Sequence, residues 1–434
     1  MNKKELIIEK LRAIIFAPER LLGDDESIEK YIAPSGDALR VFCVVKPRNE
    51  EEATALIRLA NAAGFALYSP LLEGLSPVKE GVVVDLGALD DGITIDERNL
   101  QASVPPAVTF SRLQAELDKV NCRVFMPAST PTESVLLSYL EREILFAAGR
   151  YTNKQLMIVH ALLADGRLYK GGSHALPNAT VSHREDGGPN LSKLLYQSKN
   201  SFGIPVRAVI NIYPRFQSRL VIAFGFKDLK SAAEVSRVIS NEEQATECFV
   251  ANKTKLIRMF GEKRADGAPA WFLGATAEGS KDLAAYYARE AAAVAKANGG
   301  KDIGKTGQKL ADDAFKRAWP RERGDVEFYT TYGRAASFDR IAQKHLPKDA
   351  AAMIIPVKRG TTVYMQYGAG GSAGAAAGEF CEKLLDKGAF FTSPTGDFAQ
   401  KVLERTGNYH VLLKQIKNHI DKNNILNPDQ MIKI

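Results

Sequence analysis

Three short runs in this 434-residue chain have the residue types of a reactive or phosphate-binding loop. Gly299 to Thr306 fits the pattern GxxxxGK[ST], in which backbone N–H groups cradle phosphates and the lysine neutralises them. That chemistry needs a strand before the loop and a helix after it. Here the preceding segment, Ala284 to Asn298, is an Ala-rich helix, so the run reads as a Gly-rich helix end. Gly368-Ala369-Gly370-Gly371-Ser372-Ala373 fits the dinucleotide pattern GxGxx[G/A] and does follow a strand. The stretch from Ala373 to Ile434 is too short for the βα units such a fold requires. The same loop fits GxSxG around Ser372, with His410 downstream as a base. No series of parallel βα units precedes it, so a tight strand-to-helix turn is the reading. The six histidines, His160, His174, His183, His345, His410 and His419, show no metal-ligand spacing, and no metal is expected. His160 sits in an apolar strand, and His174 and His183 share a Gly/Asn/Ser-rich loop. Cys43, Cys122, Cys248 and Cys381 lie far apart, without a CxxC, and read as small buried residues of a reducing compartment.

The elements that position these residues follow from periodicity. Residues 1–32 read as helix. Val41 to Val45 is a buried strand. Asn49 caps a helix with an acidic first turn, apolar at Ala53, Leu56, Ile57 and Ala60 and stopped by Gly64. Phe65 to Tyr68 is a strand, completing a βαβ unit. Strands follow at 82–86, 93–96 and 100–104, then a helix from Phe110 to Leu117. Leu156 to Leu163 and Arg167 to Lys170 form a hairpin around Ala164-Asp165-Gly166, and Val206 to Tyr213 is a further strand. Beyond Pro214, strand–helix pairs recur at 220–239, 271–297 and 361–385, and a last helix covers Leu412 to Ile420. This pattern predicts an α+β chain of two domains, 1–215 and 216–434.

Composition narrows the setting. Hydrophobic residues are 45% and charged residues 25%, as in globular proteins, and no window approaches the ~18 apolar residues of a membrane helix. Glu9 and Lys10 interrupt the N-terminal apolar run, so a cytoplasmic location is expected. The net charge of +7 comes from scattered basic residues, which argues against nucleic acid as a partner.

Several blocks, in order, resemble the vanillyl-alcohol oxidase / p-cresol methylhydroxylase (PCMH) family of FAD-linked oxidoreductases. They are Val44 to Pro47 with Glu51 to Gly64; Gly81 to Leu86, Ile95 to Glu97 and Val104 to Thr109; Leu162 to Arg167; Leu191 to Ser198 with Phe202-Gly203-Ile204; Trp271; and Ile416-Lys417, Asp421 and Asn424 to Pro428. The resemblance implies a PCMH-type FAD-binding domain and an α/β cap domain over the isoalloxazine. It places Tyr68, Ser69, Pro70, Leu71, Glu73 and Gly74 in the first diphosphate loop and Pro127, Ser129 and Thr130 in the second. Gly149, Arg150 and Tyr151 join them, Arg150 as the positive charge, with Gly203, Ile204 and Asn427 near the nucleotide. Phe390 and Phe391 fall in the substrate pocket, where phenol-oxidising members carry a Tyr-Arg pair.

The chain departs from the family pattern where cofactor contacts fall. One glycine, Gly74, remains inside Tyr68 to Pro77, and Glu73 brings negative charge to a site that favours positive potential. Pro127 to Ser134 has no glycine, and Ala107 and Thr152 stand where glycine is usual. Two functions follow. One is an FAD-linked oxidoreductase or subunit of one, passing hydride from an aromatic alcohol or hydroxy acid to flavin N5. The other is a silent, FAD-free paralogue that supports a larger flavoprotein complex. Either implies a homologous flavoprotein or electron-transfer subunit as partner, in a homo- or hetero-oligomer.

Overall fold

In the computed structural model, the described residues are 3–33, 36–70, 74–128, 134–141, 145–149, 155–179, 189–316, 325–358, 361–368, 374–391, 394 and 396–431. The first half runs α1 (Lys3–Ile14), β1 (Leu21–Leu22), α2 (Asp25–Glu29), β2 (Val41–Val45), α3 (Glu50–Ala63), β3 (Ala66–Tyr68), β4 (Gly81–Val84), β5 (Thr94–Asp96), β6 (Gln101–Val104), α4 (Phe110–Asp118), β7 (Cys122–Arg123), α5 (Val135–Glu141), β8 (Leu156–Leu162), β9 (Leu168–Lys170), β10 (Ile204–Asn211) and β11 (Tyr213–Pro214). The single helix expected before Ala33 is broken. Pro18 lacks the N–H a continuing helix needs, and the chain leaves α1 for the short strand β1, which pairs with β2.

The βαβ unit forms as its sequence dictates. Asn49 accepts from Glu52 N and opens α3, and Gly64 closes it at φ +66°. β2 and β3 flank β4 in parallel, in a four-stranded sheet of order β1-β2-β4-β3. A second, antiparallel sheet has the order β5-β6-β10-β8-β9, and β7 pairs with β11. Ile7 and Leu11 of α1 and Leu56 and Ile57 of α3 share one core with β2–β4. α4 and α5 cover the five-stranded sheet through Leu113, Leu117, Leu136 and Tyr139.

The second half runs β12 (Ser218–Phe226), α6 (Leu229–Asn241), β13 (Glu247–Asn252), α7 (Lys253–Phe260), α8 (Glu262–Ala265), β14 (Trp271–Gly279), α9 (Lys281–Ala297), β15 (Lys301–Asp302), α10 (Gly304–Phe315), β16 (Val326–Thr331), α11 (Tyr332–His345), β17 (Ala351–Lys358), β18 (Thr362–Gly368), α12 (Gly374–Asp386), α13 (Gly396–Glu404) and α14 (Asn408–Ile420). Its seven strands form one sheet, β15-β12-β14-β13-β17-β18-β16. α6, α9, α11 and α12 pack on one face. The other face meets α7 and α10, and also Ala128 and Phe146 of the first half. This second face therefore looks across the molecule toward the first half. α14 returns to the five-stranded sheet through Leu413, and Ile425 and Leu426 enter the core under β3.

Among the described residues, no helix is long and apolar enough to cross a membrane. Gly299 to Thr306 follows helix α9, as its sequence suggested. Its Lys301 and Asp302 form the exposed edge strand β15, and Asp302 Oδ1 accepts Gly304 N at 2.8 Å. Residues 369–373, with Ser372, and His183 lie outside the described residues.

Candidate cofactor and substrate site

The centre of the first half is a buried junction of three backbone segments. β3 ends at Tyr68, whose hydroxyl takes the N–H groups of Val78 and Lys79 at 3.1 and 3.0 Å and donates to Lys79 O at 3.0 Å. That ring closes the loop 69–80 on itself, so Tyr68 shapes the loop from behind. Burial raises its hydroxyl pKa further, keeping it a neutral donor. The next residue, Ser69, gives its N–H to Asn427 Oδ1 at 2.6 Å, and Asn427 Nδ2 returns to Ser69 O at 3.2 Å. The same Nδ2 reaches Lys199 O. One amide thus ties β3, the 198–201 segment and the chain after α14 together.

That last segment is itself clamped. Lys417 and Asp421, one turn apart on α14, form a fully buried ion pair at 2.5 Å. The Lys417 ammonium also donates to Ser201 O and Leu426 O, both at 2.8 Å, so its three hydrogens are used. Asp421 accepts Ile425 N and Leu426 N at 3.0 and 2.8 Å. Ile425 O and Asn427 N then bond to the two backbone groups of Leu67.

Around this junction three side-chain oxygens, Ser69 Oγ, Asn200 Oδ1 and Ser201 Oγ, are buried and make no hydrogen bond among the described residues. Buried polar groups are normally satisfied, so a cluster of orphans marks a place built for a polar ligand. Lys199 and Asn200 hold positive φ, at 52° and 55°, unusual for residues with a Cβ and characteristic of constrained functional loops.

The remaining expected residues are distributed as follows. Pro70 is half-buried beside this junction. Gly74 has φ +82°, and a Cβ there would lie 2.7 Å from Ala33 N, so this glycine serves the close approach of the 31–33 segment. Gly203 faces Leu195, Ala161 and Leu162, and Ile204 is in the core of β10, so both support the junction by packing. Pro127 is buried and bridges Leu145, and Ala147 bridges Glu247 at the start of β13. Gly149 gives its N–H to Ser240 Oγ at 3.1 Å, which ties this segment to α6. Phe390 pairs its backbone with Tyr329 but leaves its ring 65% exposed. Phe391 packs against Phe328 and Phe398 in the helix-side core. Leu71, Glu73, Ser129, Thr130, Arg150 and Tyr151 lie outside the described residues.

On the sheet face toward the first half, a polar row stands that sequence reasoning missed. Tyr329 and Tyr364 meet at 5.7 Å between ring centroids. Two residues along the same face, Gln366 accepts from Lys255 Nζ at 2.8 Å and donates to Asp325 and Glu327, each at 3.0 Å. These residues come from α7, β16 and β18 and have no common motif. The described thiols are poor nucleophiles: burial pushes Cys43, Cys248 and Cys381 up to about 12.

Comparison with known proteins agrees with this geometry. Residues 42–172 match the FAD binding domain family. The whole chain superposes on the crystal structure of p-cresol methylhydroxylase with substrate bound, with a TM-score of 0.83 over 99% of this chain and 97% of that one, at 17% identity. Residues 42–172 are an FAD binding domain, and the chain has the PCMH-type fold. The PCMH-type fold is equally plain beside the isoeugenol complex of 4-ethylphenol oxidase from Gulosibacter chungangensis, with a TM-score of 0.84, 17% identity and coverage of 99% and 98%. By sequence the chain is 25% identical over 271 residues to a D-lactate dehydrogenase of Archaeoglobus fulgidus, covering 59% of this chain and 56% of the relative. It is 21% identical over 206 residues to glycolate oxidase subunit GlcD of Bacillus subtilis, covering 45% and 42%. The chain thus spans about half the length of the curated relatives it matches.

FAD is the cofactor these matches support, and the described residues fit it. Ser69 lies inside the matched residues 42–172, and Asn200 and Ser201 are brought to the end of β3 from beyond them. They offer hydrogen-bonding capacity that the described residues leave unused.

Proposed function

We propose that this chain is an FAD-linked oxidoreductase, or the flavin-bearing subunit of one, acting on a small organic alcohol or hydroxy acid. The observation that carries this reading is the buried junction in which Asn427 gathers Ser69, Lys199, Asn200 and Ser201, with three polar oxygens held ready. Ordering such atoms without a partner costs about 1–3 kcal/mol each, a cost a bound polar group offsets. Residues 1–215 are read as the flavin domain and 216–434 as the cap.

In this reading Ser69, Asn200 and Ser201 hold the cofactor's polar chain, and Asn427 fixes the two backbones that carry them. The chemistry that bound FAD supplies is acceptance of a hydride at N5 from the donor carbon of the substrate. The cap face bearing Tyr329, Tyr364, Gln366 and Lys255 orients the substrate and excludes water. Lys255, 5% exposed, holds the Gln366 amide in place on this face. The relatives named for D-lactate and glycolate, and the neighbours named for p-cresol and 4-ethylphenol, define the donors to test. Electrons then leave to a second flavoprotein or electron-transfer subunit in an oligomer.

The test is flavin content followed by anaerobic reduction. Purified chain is expected to carry about one FAD, bleached by one of D-lactate, glycolate, p-cresol or 4-ethylphenol. A colourless chain that takes up no added FAD, and gains none on Glu73→Gly, refutes this reading and leaves the FAD-free subunit in its place.

A further inference from the structure

Between the halves, Arg123, Arg219, Glu247 and Glu278 meet in the lining of a cleft of about 560 Å³, walled also by Phe110, Val124, Met126, Phe216 and Phe315. Arg123, from β7, donates Nη1 to Glu278 Oε1 at 2.9 Å and stands 3.7 Å from Glu247 Oε2. Arg219, from β12, reaches the same carboxylates at 3.0 and 3.4 Å and also Asp312. The carboxylates of Glu278 and Glu247 are almost fully buried, 1% and 6% exposed, and Arg123 is 14% exposed. Its guanidinium lies over the Phe125 ring at 4.4 Å, which fixes the direction of the fork. Arg219, Glu247, Glu278 and Asp312 all belong to the second half. Arg123 is the member contributed by the first.

Its place in the chain gives it leverage. Just beyond it, Met126-Pro127-Ala128 lead out of β7, and Ala128 packs under the cap sheet beside Phe146. Pro127 bridges Leu145, and Ala147 bridges the backbone of Glu247, whose carboxylate faces Arg123. Arg123 and segment 145–149 therefore converge on Glu247, one at its side chain and one at its backbone, and segment 125–128 is joined to the second through Pro127 and Leu145. The connection between halves is pinned beside them, since Arg215 N donates to Asn121 O at 2.9 Å and β11 pairs with β7.

We propose that Arg123 is a positioning residue that sets the seat of the cap sheet on segments 125–128 and 145–149, and through them the donor's alignment with the cofactor. The kinetic part rests on the oxidoreductase reading; the structural part does not. Without the guanidinium, Glu278 keeps Arg219 alone, and the two halves lose their buried charge contact.

The experiment compares native protein, Arg123→Gln and Arg123→Lys as full-length, flavin-loaded chains, by hydrogen exchange and by anaerobic flavin reduction at saturating donor. Arg123→Gln is expected to speed exchange about tenfold at 125–128 and 145–149, leaving β2–β4 unchanged. Flavin content stays the same, and reduction slows about tenfold at unchanged KM. Lysine recovers part of both effects, because an ammonium meets one carboxylate well and not two. Glu278→Gln, which removes charge without volume, is the second variant should Arg123→Gln fail to fold, with the same local expectation. Exchange within about twofold of native at both segments overturns the proposal, as does acceleration spread evenly over all four sheets or a failure of both variants to fold. If no donor reduces the flavin but exchange rises locally, the functional reading fails and the positioning role stands.

Discussion

Replacing Lys417 by methionine tests the clamp that closes the first half of the molecule. The side chain is 2% exposed, its partner Asp421 is 0% exposed, and methionine keeps the length of the stem without the charge. Three acceptors lose the ammonium at once, Asp421 Oδ2, Ser201 O and Leu426 O. Breaking one side of a buried ion pair costs about 3–5 kcal/mol. Asp421 retains the N–H groups of Ile425 and Leu426, so its charge is not abandoned, and the lower end, about 3 kcal/mol, is the expectation. Urea unfolding monitored by tryptophan fluorescence, with Asp421→Asn and the double variant completing a cycle, measures both the loss and the coupling. A coupling above about 1 kcal/mol is expected. Arg20–Glu52 serves as the control pair, because it lies beside β1 and β2, at the opposite edge of the sheet from β3. If Lys417→Met stays within about 0.5 kcal/mol of native, the junction is not held by this pair and the reasoning fails.

Asn427→Ala removes the bonds to Ser69 and Lys199 and is expected to raise the dissociation constant for FAD about tenfold or more, read by flavin retention on dialysis. Gly74→Ala forces φ +82° on a residue with a Cβ placed 2.7 Å from Ala33 N, and should cost about 1–3 kcal/mol in the same unfolding assay. Burial raises the Glu52 carboxyl, but the Arg20 fork and Arg48 N more than reverse this, so its folded pKa lies below 4.5. Its contribution is therefore present above the unfolded value and lost as pH falls through the folded one. Glu52→Gln should flatten the stability profile below about pH 4.5, and an unchanged acid limb would count against the assignment.

The sequence made the βαβ unit legible because its signals are local: Asn49 and Gly64 bracket α3, and apolar spacing supplies its buried face. β13, β16 and β17 escaped notice. β13 is buried nearly throughout and lacks the alternation that marks a half-exposed strand, and β17 is a continuous run, Ala351 to Val357. The segment before Ala33 reads as one helix because Glu, Lys, Leu and Ile dominate; Pro18 and Gly23 were the contrary signals. At the site, Asn427 and Ser69 were reached through resemblance, since they lie near opposite ends of the chain. Lys199, Asn200 and Ser201 carried no periodic signal, and the positive φ of the first two appears only in three dimensions. The Arg123–Glu278 contact joins elements far apart in sequence, and nothing local to either residue announces it.

The parallel bridge between Leu67 and Leu426 has a consequence for how this molecule is born. Residues 425–427 complete the backbone pairing of β3, yet a ribosome delivers them after every strand of the cap has emerged. At about 5–20 residues per second, the βαβ unit waits on the order of twenty seconds or more beside a growing chain before its last partner exists. During that interval β3 presents an unpaired edge and the Ser69 junction is unbuilt. The junction that needs Asn427 is therefore complete only after residues 425–427 have emerged. Each doubling of loop length adds only about 0.6 kcal/mol of closure entropy, so the long insertion between β3 and its last partner costs little once both exist.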